Sequence, residues 1–351
     1  MKTRRTIAFT LGGLTAAAIG GLVARFHLGR RRADRVWAAA RYPKLKDVGA
    51  VKHLTILPLI DWYTARDPST GSGQAPSTGG STGSPRSSGQ ALVGEPGVSY
   101  LVRADDTTIL FDVGFNQRGE HPSPLLRNMA ALGIEVADID MLVISHAHSD
   151  HLGGTSHQTR RTFDLSSQPI DLKGIPAYVP EPLSNPTAQV TVVDSPRVIA
   201  PGVASMGPIP RQLFFFGWTP EQSLAVNVEG KGLVLIIGCG HSTLQRIVDR
   251  AEMLFDELLY GLVGGLHYPV TASRELMFGL PAQQFLGTGK WPWDPVNRQD
   301  VETAIVYLQR RHPQLVGLSP HDSCDWSLGA FRQAFGEAYQ DVQVGREIVV
   351  Q

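Results

Sequence analysis

The alternation of apolar and polar positions divides the chain into short elements. Residues 51–60 (VKHLTILPLI) read as a first strand. Residues 98–103 and 108–113 are predicted to pair as a hairpin across the turn Ala104-Asp105-Asp106-Thr107. A helical pattern covers 125–132. Residues 141–145 form a short apolar strand that runs straight into a cluster of histidines. Residues 189–193 and 213–216 are further strand candidates, and 224–228 with 233–237 predict a second hairpin around Glu229-Gly230-Lys231-Gly232. From Leu244 onward, Ile247, Val248, Ala251, Leu254, Phe255 and Leu258 recur at helical spacing. Later helices are predicted over 300–310 and 327–339. This succession implies an α/β protein with two mixed β-sheets and external helices.

Two stretches fall outside that pattern. Residues 68–90 are almost wholly Ser, Thr, Gly, Pro and Gln. Such a segment cannot bury enough apolar surface to offset its ordering entropy, so it is expected to be a disordered loop. Strand-like sequence on both sides makes it an insertion within one domain. At the N-terminus, Lys2, Arg4 and Arg5 precede an uncharged stretch, 6–24, which Arg25 and Arg30-Arg31-Arg32 close. Its length is near the roughly 20 residues that span a bilayer. Residues 1–35 are therefore expected to be a membrane anchor or, given the paired Arg4 and Arg5, a twin-arginine-like export signal. Residues 36–351 are the expected catalytic domain.

Composition narrows the function. The 32 basic and 32 acidic residues balance to zero net charge, without the basic excess of a nucleic-acid binder. Two cysteines, Cys239 and Cys324, exclude a disulfide framework. The chemistry concentrates in His146-Ala147-His148-Ser149-Asp150-His151, directly after an apolar strand. Residues two apart on an extended chain point the same way, so His146 and His148 can hold one ion together. Asp150 and His151 lie where the chain turns and can face a second. Imidazole and carboxylate suit zinc, and also manganese or iron.

Residues 145–154, Ser-His-Ala-His-Ser-Asp-His-Leu-Gly-Gly, resemble the HxHxDH hallmark of the metallo-β-lactamase fold, and Leu110-Phe111-Asp112-Val113-Gly114 resembles its preceding Asp-x-Gly strand. The resemblance implies an αββα sandwich, with Asp112 buttressing the metal loop. Glu221-Gln222-Ser223-Leu224, Gly238-Cys239-Gly240-His241, Gly264-Gly265-Leu266-His267 and Ser319-Pro320-His321 are similar, in order and spacing, to the 7,8-dihydropterin-6-methyl-4-(β-D-ribofuranosyl)-aminobenzene-5′-phosphate synthase-like branch. Gly240 and the run His321-Asp322-Ser323-Cys324 depart from that branch's usual blocks.

The expected metal ligands are His146, His148, Asp150, His151, His241 and His321, holding two divalent ions, with Cys239 an alternative to His241. Asp150 would also orient the nucleophile. His267 would orient substrate, bind metal or protonate the leaving group. Glu221 matches the branch without an assigned chemistry, and His157 is expected to be a surface residue. Trp291 and Trp293 are placed either as an apolar rim over the site or as ordinary packing. The expected activity is hydrolysis of an ester, amide-like or phosphoester bond in a small molecule. The alternatives are a synthase acting on a phosphorylated substrate and a non-catalytic metal- or ligand-binding protein.

Overall fold

The computed structural model describes residues 2–65, 91–273 and 282–351. The expected disordered loop, 68–90, lies outside the described residues. In chain order the strands are β1 (Leu54–Ile60), β2 (Ser99–Ala104), β3 (Thr107–Phe111), β4 (Met141–Val143), β5 (Pro176–Val179), β6 (Gln189–Val192), β7 (Arg197–Ala200), β8 (Val203–Ser205), β9 (Ile209–Leu213), β10 (Gly217–Glu221), β11 (Leu224–Val228), β12 (Gly232–Ile237), β13 (Leu259–Gly264), β14 (Leu315–Leu318) and β15 (Ile348–Val350). The helices are α1 (Lys2–Ala39), α2 (Pro124–Ala131), α3 (Ser149–Leu152), α4 (Thr155–Arg160), α5 (Leu244–Leu254), α6 (Arg298–Gln309) and α7 (Asp325–Phe335). One sheet runs β15-β1-β2-β3-β4-β5-β6 and the other β14-β13-β12-β11-β8-β7, with β9 and β10 as a separate hairpin.

Period-two side-chain placement builds the layers. On β12, Val234 and Ile236 join Ile56, Val102, Ile109 and Phe111 of the first sheet in the core between the sheets. Leu233, Leu235 and Ile237 of the same strand face the other way and pack on Ile247, Val248 and Ala251 of α5. The first sheet turns Leu57, Leu101, Leu110 and Leu142 outward onto Leu125 and Met129 of α2. The result is the expected αββα sandwich.

Each sheet contains a parallel block. Strands β3, β4 and β5 are parallel neighbours, as are β12, β13 and β14. Residues leaving the carboxyl ends of such strands share one edge of the sandwich, which is where ligands bind in open α/β sheets.

The expected strand over 213–216 is not one: Leu213 ends β9, and Phe214, Phe215 and Phe216 form the turn into β10. These rings satisfy their hydrophobicity by ring contact instead of strand pairing. Phe214 meets Trp291 at 6.0 Å and the fully buried Phe26 of α1 at 5.1 Å. From Arg25 onward α1 lies on this hairpin: Ala33 is buried, Arg32 stacks on Trp218, and Asp34 pairs with Arg246 at 2.5 Å. The helix crosses position 35 unbroken. Among the described residues, no helix is long and apolar enough to cross a membrane.

Candidate metal centre

The site is assembled at the carboxyl ends of those parallel strands. The chain leaves β4 through Ser145 into His146 and His148, then turns into α3, which supplies Asp150 and His151. The chain leaving β12 supplies Cys239 and His241. Beyond β13 lies His267, and beyond β14 lie His321 and Asp322. Segments far apart in sequence thus meet at one point. Three overlapping groups have ligand atoms within 4.8 Å of one another: Asp150, His151, Cys239 and His321; His146, Cys239 and His241; and Cys239, His267 and Asp322. His148 joins through Nδ1, which lies 3.0 Å from His146 Nε2 and 3.2 Å from His241 Nε2. The six expected ligands are therefore brought together. The sulfur of Cys239 is the member the three groups share, lying 3.1 Å from His151 Nε2 and 3.0 Å from His321 Nε2.

The outer hydrogen bonds decide which ring nitrogen carries the proton. Asp112, at the end of β3, adopts φ 60° so that its carboxylate folds back over the loop. It accepts the Ser145 N–H at 2.6 Å, the Ser145 hydroxyl at 2.7 Å and His151 Nδ1–H at 2.7 Å. Because the Ser145 hydroxyl donates to Asp112, its oxygen accepts from His146 Nδ1 at 2.9 Å. By the same logic the Ser319 hydroxyl donates to Asp61 at 2.7 Å and accepts from His321 Nδ1 at 2.7 Å. His241 Nδ1 donates to the Gly287 carbonyl at 2.7 Å. Four imidazoles therefore hold the proton on the outside and present an Nε2 lone pair inward. That arrangement is the one in which histidines ligate metal.

Electrostatics agree with this donor set. Burial, reinforced by neighbouring imidazoles, pushes His146 and His241 well below the ordinary histidine range, and burial takes His148 down to about 4. These rings are neutral and free to ligate. Burial also opposes charge on His151, but Asp112 and Asp150 outweigh it and lift the group to about 9, so without a cation its Nε2 carries a proton, which a metal ion would have to displace to use that lone pair. Burial, with Asp61 and Glu221 nearby, raises Asp322 well above the usual carboxylate range. Buried acceptors gathered around unprotonated nitrogens call for cations. His267 adds a further sign of this: its Nε2–H donates to the Leu286 carbonyl at 2.9 Å, leaving buried Nδ1 without a hydrogen-bond partner.

Other residues position these ligands. One Glu221 oxygen accepts the N–H groups of Cys239 at 2.9 Å and Gly240 at 2.7 Å, clamping the turn that carries Cys239 and His241. Asp61 reaches His321 through Ser319. The sequence assigns no role to Asp61, which stands alone, or to Asp322, which enters only as part of a run that departs from the resembled block. His157 lies apart from the centre, half-buried rather than at the surface, with Nδ1 2.9 Å from the Thr162 hydroxyl. The centre opens into a cavity of about 320 Å³ whose walls include Phe115, Phe216 and Leu286 as well as His148, Asp150 and His267. Trp291 and Trp293 stack at 4.8 Å beside Phe214, with Trp293 largely exposed, and neither lines this cavity.

Comparison with known proteins agrees with the fold. Residues 92–163 match the sequence model of the metallo-beta-lactamase superfamily. The 7,8-dihydropterin-6-methyl-4-(beta-D-ribofuranosyl)-aminobenzene-5'-phosphate synthase of Methanocaldococcus jannaschii is 24% identical over 235 residues, covering 55% of this chain and 78% of the relative. An uncharacterized protein of the same organism is 25% identical over 198 residues, covering 49% and 72%. Among solved structures, a metal-dependent hydrolase of the β-lactamase superfamily superposes with a TM-score of 0.53 at 18% identity, covering 84% of this chain and 98% of that one.

Proposed function

For a chain with the metallo-β-lactamase fold and this centre, we propose metal-dependent hydrolysis of an ester, amide-like or phosphoester bond in a small molecule. The observation that carries the reading is the set of four imidazoles whose Nδ1 protons are all engaged outside and whose Nε2 lone pairs converge. His146, His148 and His241 would hold one divalent ion, and Asp150, His151 and His321 a second, with Cys239 within reach of both groups. Zinc fits this nitrogen, oxygen and sulfur set, as do manganese and iron at the nitrogen and oxygen positions. Ions held there supply Lewis acidity and an acidified water nucleophile.

The chain's own residues do the rest. Asp150 lines the cavity beside His151, with a carboxylate oxygen 3.6 Å from His151 Nε2, and so orients the nucleophile. His267 keeps Nδ1 as an acceptor, so in this tautomer it receives a proton or orients a donor group of the substrate, and it delivers a proton to the leaving group only after taking one up. Phe115, Phe216 and Leu286 exclude water from an apolar part of the substrate.

Turnover of a panel of phosphoesters, lactones and β-lactams, with and without chelator, tests the proposal. Chelator-sensitive cleavage of a panel member is expected. Absence of cleavage by the metal-loaded chain would count against hydrolysis. A second reading, condensation on a phosphorylated substrate, is favoured by the likeness to the M. jannaschii synthase. Product formation only when two substrates are supplied together would support that reading.

A further inference from the structure

Behind the wall formed by His241, His267 and Gly287 lies a second cavity of about 280 Å³, and those three residues line both cavities. Its other walls carry Arg30, Arg211 and Lys290 against one carboxylate, Asp300, which Lys290 already pairs with at 2.7 Å. Two guanidinium groups are left without a neutralising acid in the cavity. Arg211 makes no ion pair among the described residues, and its buried Nε has no hydrogen-bond partner. Burial, then the nearby Arg246 and Arg30, lower it to about 10, so it still carries its charge at neutral pH. The nearby Asp34 favours this charge but is itself paired with Arg246, so Arg211 is a largely buried cation without an ion pair of its own, which is costly and marks a place where an anion is expected.

Two further features agree. Thr243 and Gln245, at the start of α5, line the same cavity. This helix has no side-chain cap, so its first N–H groups keep the positive end of the helix dipole uncovered. Its N-cap, Thr243, sits at φ 79°, a conformation that a β-branched residue rarely adopts. Opposite, Gly289 at φ 59° lies so close to Arg211 that a β-carbon there would fall 2.5 Å from its Nε. The absence of a side chain at Gly289 thus leaves the guanidinium room to lie against this backbone.

We propose that this cavity is a phosphate-binding site, built from Arg211, Arg30 and the start of α5 and separated from the metal centre by the His241–His267 wall. The phosphate is that of a phosphorylated substrate or free orthophosphate. The first case deepens, and rests on, the hydrolase reading, because one molecule would then span both cavities.

Calorimetric titration of the full metal-loaded chain with inorganic phosphate tests the site. Metal content is measured in every sample, because the metal centre can itself take up phosphate. Wild type is expected to bind phosphate in a phase that Arg211→Gln weakens about tenfold or more, with metal content unchanged. An Arg211→Gln isotherm superimposable on wild type would overturn the proposal. Should that variant fail to fold, Arg30→Gln carries the same test, with weakening expected and an unchanged isotherm overturning it. Inhibition by orthophosphate of whichever panel substrate is cleaved separates the sources. Competitive inhibition lost in Arg211→Gln identifies a substrate phosphate, and non-competitive inhibition lost in that variant identifies free orthophosphate. Phosphate binding without turnover would sink the hydrolase reading alone, and turnover without an Arg211-dependent phase would sink the phosphate site alone.

Discussion

Asp112 touches neither cavity, yet it fixes the tautomer of His151 directly and that of His146 through Ser145. Asp112→Ala is expected to lower metal affinity by about 10- to 100-fold, because partners of this kind orient the ligand ring. Metal titration of the variant against a competing chelator checks it. His148→Ala should lose activity and one metal equivalent while its circular dichroism stays native, since His148 contributes to no apolar cluster. Full metal retention would show that His148 is no ligand. Away from the centre, burial raises Asp164 from 3.8 to about 6 against the lowering effect of the Leu165 and Ile170 N–H groups. A raised carboxyl favours the fold only while protonated. Its stabilising contribution is complete below pH 3.8 and is lost as pH rises through about 6. Asp164→Asn should therefore gain stability relative to wild type across that window, then level off; a melting-temperature difference flat from pH 4 to 8 would refute this. The six candidate ligands that the fold brings together were legible in the sequence, because four lie in one run and His241 and His321 each follow an apolar strand. Cys239 was legible only as an alternative. Asp61 and Asp322 were not, since their roles depend on contacts with partners that have no local pattern.

At the scale of elements, apolar periodicity located β1, the β2–β3 hairpin, α2, β4, the β11–β12 hairpin and α5 to within a few residues. It missed β5, β7, β8 and β15, which have only three or four residues each and alternate too briefly to register, and the five-residue β9 and β10, whose runs are broken by Pro210, Arg211 and Pro220. It also read Phe214, Phe215 and Phe216 as a strand, because an apolar run alone does not separate pairing from ring packing. The contact between α1 and the β9–β10 hairpin was invisible for the same reason: Phe26 and Ala33 are isolated small or aromatic positions among arginines. Phe26 is fully buried between Phe214 and Trp291. Phe26→Ala should cost about 3–5 kcal/mol of local packing. That loss is expected to free the second half of α1, so limited proteolysis should cut between residues 20 and 39 in the variant and spare wild type. Equal cleavage of both chains would show that the helix is not held by this contact.

At the scale of the whole molecule, the two parallel blocks aim their carboxyl ends at one edge, and the imidazoles and carboxylates gathered there form a buried donor set that divalent cations would fill. Metal should therefore stabilise the fold by mass action, raising the melting temperature with free metal concentration until the centre fills. The claim on which everything else rests is that the converging Nε2 atoms hold divalent ions. Elemental analysis of the purified full-length chain, beside His148→Ala and His151→Ala, tests it most directly. Two divalent ions per wild-type chain, with one lost in each variant, is the predicted result; a folded wild-type chain holding only trace metal after equilibration with zinc would contradict it.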